Sequence, residues 1–441
     1  MRTDFYVSCG RCIVSSTIVL LLVVTISQTS FAQRNFTRDH AEHVLEIIKS
    51  DIKKNYYDAE FHGIDLEARF QTAKDKLKTA NSGAQLMAII AQVLLDFDDS
   101  HLFFIPPGRA NESDYGWEMQ SVGEQVYISA VKPNSDAESK GIKEGDLVVS
   151  VGGFEPARDN LWKILYLFNG LSPKLSLRLV VKSPDGKERE LDVAAKVRTG
   201  RPIIDLTGRD IGDYRRKLEE LDRNNRSRWV TFGEDLIIWK LPSFVADDSE
   251  IDAMVDRARK YSTIVLDLRG NGGGYVATCE RLVGAFFDKP VVMAELKGRK
   301  KKKPMESHRV GSVYTGKLIV LIDSGSASAS EIFARVVQIE KRGTIIGDRS
   351  AGAVMESLQY GHELGIDTVI PYGVSVTDAD LIMADGKSLE KAGVVPDELL
   401  LPSATDMRNK RDPVMARAAA LAGVQLTAEK AGTLFPIEWR K

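Results

Sequence analysis

The chain has 441 residues, more than one hydrophobic core usually serves, so two or three domains are expected. Lys and Arg number 60 against 62 Asp and Glu, a balance that gives no electrostatic reason to expect nucleic acid or another polyanion as a partner. An apolar share of 43% excludes a chain dominated by disorder.

At the N-terminus Arg2 and Arg11 flank the approach to "IVSSTIVLLLVVTI", and "SFA" ends at Ala32. A basic start, an apolar run too short for comfortable spanning and small residues at its end predict a secretory signal peptide over 1–32. The expected location is therefore exported, either periplasmic or extracellular. The alternative is an uncleaved anchor, and membrane contact is expected only in that case. Cys9 and Cys12 fall inside this segment, which leaves Cys279 alone and without an internal disulfide partner. A small buried hydrophobe is the expected role for Cys279; a reactive thiol would need an activating neighbour that the sequence does not offer.

Residues 33–105 read as a helical N-terminal domain, because "HAEHVLEIIKSDIKKNYY" and "AQLMAIIAQVLLDF" repeat apolar residues at helical spacing. The pattern stops at "DDSHLFFIPPG", where two prolines and a glycine forbid continuation. Over 106–198 the chain alternates as short strands: "QVYISAV", "DLVVSV", "LSLRLVV" and "ERELDVAA", with "NLWKILYLF" as an intervening helix. Within it, "VKPNSDAESKGIKEGDLVVSVGG" runs strand, turn, short helix, Gly141, Gly145-Asp146, strand. That order resembles a PDZ domain, which implies capture of an extended peptide or chain terminus by strand addition. The loop that would do so is Tyr115, Gly116 and Trp117, although it lacks the expected run of small apolar residues. The bland alternative is a module that only packs on its neighbour.

Residues 199–228 form a charged connector with one expected helix. From 229 to 402, strands such as "DLIIWKL", "TIVLDL", "VVMAEL", "KLIVLI" and "GTIIG" alternate with helices, as in a largely parallel sheet covered on its faces. One more helix and an irregular tail are expected over 403–441.

Four stretches could carry chemistry. In "DSGSASASEIF", Ser328 and Glu331 fit a helix capping box, and the same strand-to-helix turn would offer a hydroxyl beside free amides. "DLRGNGGGY" brings backbone close to a ligand but matches neither a dinucleotide fingerprint nor a phosphate loop. His101 in "DFDDSHLFF" sits at a break in pattern, whereas His40, His43, His62, His308 and His362 look incidental. Glu390 in "DGKSLEKAGVVPD" reads by default as an exposed carboxylate. No grouping has metal-ligand spacing, and the basic run "KGRKKKKP" reads as a solvated loop.

Together and in this order, "DDSH", "LDLRGNGGG", "SGSASASEIF" and "LEKAGVVPD" resemble the S41 family of serine peptidases. That family holds the C-terminal processing and tail-specific peptidases and the tricorn core protease. The resemblance implies an α/β fold: a ClpP/crotonase-like core with a helical N-terminal domain and an inserted PDZ-like β-rich domain. Where the processing branch carries a lysine base, "GDRSAGAVMES" has Ala353, so the set offered here is that of the tricorn branch. It implies Ser328 as nucleophile, His101 as base, and Glu390 orienting the imidazole through Ser100. Gly272, Gly273 and Ala329 would supply the oxyanion hole. A polypeptide substrate is implied, with no cofactor, metal or nucleic acid. Two alternatives on related scaffolds are a catalytically inactive carrier, as in interphotoreceptor retinoid-binding protein, and an acyl-CoA enzyme.

Overall fold

In the computed structural model, residues 36–108, 111–199, 226–308, 311–365 and 370–439 are described. The expected signal segment and most of the connector, with its expected helix, lie outside them. Among the described residues no helix is long and apolar enough to cross a membrane.

Among the described residues three α-helices come first: α1 (Arg38–Asn55), α2 (Leu66–Leu77) and α3 (Gly83–Leu95). Each begins where the sequence supplies a side-chain cap, since Thr37, Asp65 and Ser82 accept from the amides of His40, Ala68 and Gln85. The apolar face of α1 (Val44, Leu45, Ile48, Ile52) shares a core with Phe70, Leu77 and Ile90. The same core takes in Phe104, Tyr372, Val374 and Val376, so the helices close on strands from the far end of the chain.

Strand β1 (Phe103–Ile105) leads into the inserted region. This contains β2 (Asn111–Asp114), β3 (Trp117–Val122), β4 (Gln125–Val131), α4 (Asp136–Ser139), β5 (Leu147–Val151) and α5 (Leu161–Leu165). It ends with β6 (Ser176–Lys182), β7 (Glu188–Ala194) and β8 (Lys196–Thr199). Strands β3 to β7 make an antiparallel sheet in chain order, and β2 pairs with β8. The helix expected over 160–168 is split, because α5 stops at Leu165 and Tyr166–Leu171 widens into a π turn. Asn169 and Gly170, poor helix formers, lie in that turn.

The core follows with β9 (Arg228–Phe232), β10 (Leu236–Lys240), α6 (Asp248–Ala258), β11 (Thr263–Asp267), α7 (Val276–Gly284), β12 (Val292–Lys297) and β13 (Met305–Glu306). Then come β14 (Lys317–Ile322), α8 (Ala329–Ile339), β15 (Thr344–Gly347), β16 (Met355–Leu364), β17 (Ile370–Met383) and β18 (Glu398–Leu399). One sheet has the order β18-β15-β14-β11-β10-β9, parallel except for β9. Its inner strands are continuously apolar because both faces are covered. Ile237, Ile264 and Leu266 meet Met254, Leu282 and Phe333 on one side; Ile238, Val265 and Ile319 meet Val414, Met415 and Ala418 on the other.

A second sheet departs from expectation. Residues 355–364 and 370–383, which carried no expected element, form the long antiparallel pair β16–β17, and β17 also pairs with β1 and β12. The C-terminal region has three short helices where one was expected: α9 (Ala404–Arg408), α10 (Pro413–Leu421) and α11 (Ala428–Ala431).

The loops that carry the glycine turn and Ser328 leave the carboxyl ends of β11 and β14, adjacent parallel strands, where open α/β sheets usually place ligands. The inserted region docks beside them on Asp348, whose Oδ2 accepts from Arg158 (2.9 Å) and from the Gly123 N–H (2.9 Å). Both charged side chains are nearly inaccessible, at 9% and 8%. Removing one member of such a pair leaves a buried charge alone, at a cost of about 3–5 kcal/mol. Arg158→Met should therefore lower the urea midpoint clearly; a parental midpoint would show that docking is held elsewhere.

Candidate active site

The loop between β14 and α8 is stitched to the glycine turn after β11. Asp323 Oδ1 accepts from the amides of Gly270 (2.8 Å) and Gly325 (2.9 Å), while Oδ2 accepts from Gln120 of the inserted region (2.6 Å). Ser326 and Ser330 donate to the carbonyls of Leu268 and Asn271 at 2.8 and 2.9 Å. Three of the small residues in this stretch thus build the turn and are spoken for.

Ser328 differs from its neighbours. Its φ of 54° is a left-handed conformation at a non-glycine residue, which costs on the order of 1–3 kcal/mol. Its N–H donates to the Ala353 carbonyl (2.9 Å) and to Glu331 Oε2 (3.0 Å), the glutamate half of the expected capping box. The capping box expected from the sequence is thus present at the start of α8.

Glu331 does more than cap. It is fully buried, and it accepts from Ser350 Oγ (2.6 Å), Gly352 N–H (2.8 Å) and Ala353 N–H (3.0 Å) as well as from Ser328. Burial pushes this carboxyl up to about 7, against the pull of its four donors. One side chain therefore ties the 350–353 segment to the Ser328 backbone. The sequence reading assigned it only a capping role.

Gly273 approaches Ser328 so closely that a Cβ there would lie 2.7 Å from Ser328 Cβ, and its φ is +97°. Its N–H, expected in the oxyanion hole, donates to Asn271 Oδ1 at 2.8 Å. Asn271, buried and bonded to the Leu241 carbonyl (2.8 Å), holds this amide to set the turn. Among the described residues, the N–H groups of Gly272 and Ala329 have no acceptor.

The other half of the site is a line of bonds. Ser100 Oγ lies 2.8 Å from Glu390 Oε2 and 2.7 Å from His101 Nδ1, and Ser100 N–H donates to Glu390 Oε1 at 3.0 Å. The serine has one proton and the carboxylate can only accept, so that proton goes to Glu390. His101 Nδ1 must then carry the ring proton, which leaves Nε2 bare. Burial holds the ring below the usual histidine range, partly opposed by the nearby Asp99 charge. Glu390, expected to be exposed, is half-buried, and burial raises it while three donors oppose that shift. Its Oε2 also accepts from Val354 N–H (2.9 Å), the residue after Ala353. Val354 and Ala353 therefore bring the Glu390–Ser100–His101 line and Ser328 to one short segment. Among the described residues no hydrogen bond joins the His101 ring to the Ser328 hydroxyl.

Residues 236–400 match the model of peptidase family S41. The match covers the α/β core. Over 322 residues the chain is 28% identical to the tail-specific protease of Haemophilus influenzae, a match covering 68% of this chain and 43% of that protein. It is 24% identical over 380 residues to the chloroplastic C-terminal processing peptidase of Tetradesmus obliquus, covering 80% and 75%. The crystal structure of mature CPAF has a similar fold, with a TM-score of 0.62 at 16% identity over 84% of this chain and 94% of that one.

Ala353, where the resemblance implies a lysine base in the processing branch, takes the Ser328 N–H on its carbonyl and has only a methyl side chain. Cys279 is buried, donates to the Ala329 carbonyl (3.5 Å), and its thiol is pushed well up by burial, so it packs as expected. Among the described residues no group of acidic, His and Cys side chains could hold a metal ion. Tyr115 and Trp117 line a cavity of about 790 Å³ that reaches Arg269 and Gly270 of the core, with Trp439 on another wall. Gly116 sits between them with φ +73°, and its N–H is taken by Asp114 Oδ1 at 3.0 Å.

Gly273→Ala tests the close approach. The new methyl has no room beside Ser328, so the variant should lose about 1–3 kcal/mol of stability and its Ser328 reactivity. Parental melting with parental labelling by a fluorophosphonate would contradict this packing.

Proposed function

We propose that the protein is an exported serine endopeptidase that cleaves polypeptides through an acyl-enzyme. The observation that carries this is the Glu390–Ser100–His101 line, which leaves the His101 Nε2 lone pair free and is tied through Val354, next to Ala353, to the segment that holds the strained Ser328. Ser328 Oγ attacks the peptide carbonyl carbon as its proton passes to His101 Nε2. The carbonyl oxygen becomes an oxyanion, to which the Gly272 and Ala329 amides donate. His101 then returns the proton to the amide nitrogen, the C–N bond breaks and the amine leaves. Water repeats the sequence on the ester and frees Ser328. Glu390 stabilises the ring's charged form through the Ser100 hydroxyl. No step calls for a cofactor.

Export rests on the basic and apolar pattern of residues 1–32. The first relative's name makes chain termini the substrate class to try first, although the match spans under half of that protein. The inserted region reads as a PDZ-like peptide-binding module, because Tyr115 and Trp117 wall a cavity that runs to the glycine turn. A second reading, an inactive carrier on the same scaffold, is favoured by the missing bond between His101 and Ser328. Unliganded sites often tighten only around substrate, so the enzyme reading stands.

A fluorophosphonate probe should label the full chain, fail on Ser328→Ala, and react far more slowly with His101→Ala. His101→Ala should also lower kcat/KM on unfolded casein by about 10²–10⁴-fold. Because the ring titrates below its usual range, the base stays neutral to lower pH and the acid limb of kcat/KM should fall below about 6.5. Persistent labelling of Ser328→Ala would reject the nucleophile, and casein left intact by a labelled enzyme would favour the carrier.

A further inference from the structure

We propose that Asp99, held from behind by Tyr56, is the positioning residue that fixes the loop presenting His101. This rests on the reading of His101 as the base. Asp99 is a carboxylate at 3% exposure, and among the described residues no Lys or Arg pairs with it. A buried charge without a counter-ion is kept only by donors. Here there are four, from three parts of the chain. Oδ1 accepts from the amides of His101 (2.9 Å) and Leu102 (3.2 Å) and from Thr377 Oγ1 of β17 (2.8 Å). Oδ2 accepts from the Tyr56 hydroxyl, just past the end of α1, at 3.0 Å.

Two of these donors are the amides of the base and of its neighbour, so any shift of Asp99 moves the His101 ring. The anchors are well braced. Tyr56 is fully buried, and its oxygen lies 3.2 Å from His62 Nε2. Phe61 and His62 both have positive φ, at 50° and 56°, so strained backbone lies next to this bracing. Tyr57, next in the chain, donates its N–H to the Thr377 carbonyl at 2.9 Å, which ties the end of α1 to the same point of β17. A plain loop cap would account for the two amide bonds. It gives no reason for a buried tyrosine and a threonine from distant elements to converge on the same carboxylate.

The titratable groups around the His101 loop are few. Among the described residues they are Asp99, Glu390 across Ser100, the phenols of Tyr56 and Tyr57 with His62 against both, and outside them Asp58, Asp380 of β17, and Asp98, which pairs with Lys163 and Lys391. Burial raises both phenols, so they stay neutral. From β17 the nearest group is the uncharged Thr377 hydroxyl. Asp99 is the charge that raises the proton affinity of His101, so removing it lowers that affinity and frees the base at lower pH.

The test uses the full chain with Asp99→Asn, Tyr56→Phe and His101→Ala, measuring kcat and KM on unfolded casein against pH, with melting curves. Asp99→Asn should lower kcat by about 10²-fold, the scale of a misplaced catalytic group, leave KM near parental, and move the acid limb to lower pH. Tyr56→Phe should lower kcat with KM kept, by less. A folded Asp99→Asn with parental kcat and an unmoved limb would overturn the proposal. If Asp99→Asn does not fold, Tyr56→Phe decides, and parental kcat there overturns it. Should His101→Ala retain casein cleavage and labelling, the base assignment fails instead, which is a separate result.

Discussion

The Ser100 hydroxyl has a single proton, and Glu390 takes it, which forces the ring proton of His101 onto Nδ1. Everything chemical in the site follows from that order of donation. With Nδ1 committed, the bare nitrogen is Nε2, the one able to receive a proton from an alcohol. The arrangement needs a carboxylate from residue 390 to meet a serine from residue 100, so it exists only when the second sheet has formed. Strand β17 provides the meeting place, since it pairs with β1 directly after the His101 loop and ends shortly before Glu390.

Carboxylates do the same organising work elsewhere. Glu331 gathers Ser350, Gly352, Ala353 and Ser328, while Asp323 gathers Gly270, Gly325 and Gln120. Each accepts from several backbone amides at once, which a neutral side chain of the same shape could not match. Asp348, paired with Arg158, extends the pattern to the inserted region. The Ser328 loop is thus held by charge-assisted bonds, and the strain at Ser328 is carried by this frame.

Much of the site was legible because its pieces sit where local patterns break: "DDSH" after a helix, "NGGG" after a strand, "SASE" before a helix. Fold class was legible in the alternation of continuously apolar strands with helices. The second sheet was not, because Gly373, Asp378 and Asp380 interrupt the alternation of β17, whose Ser375 and Thr377 are polar yet buried. The engagement of the Gly273 amide by Asn271 could not be read either, since a glycine run shows only that backbone can approach closely. Likewise Glu331 read as a cap because its partners at 350–353 are distant in sequence; tertiary packing alone reveals them.

The most direct test of the central claim is the protonation of the His101 ring, read from ¹⁵N chemical shifts of histidine-labelled protein near neutral pH and assigned with His101→Gln. The hydrogen-bond order described here predicts a proton on Nδ1 and a bare Nε2, a pattern lost in Glu390→Gln. A proton on Nε2, with Nδ1 bare, would contradict it.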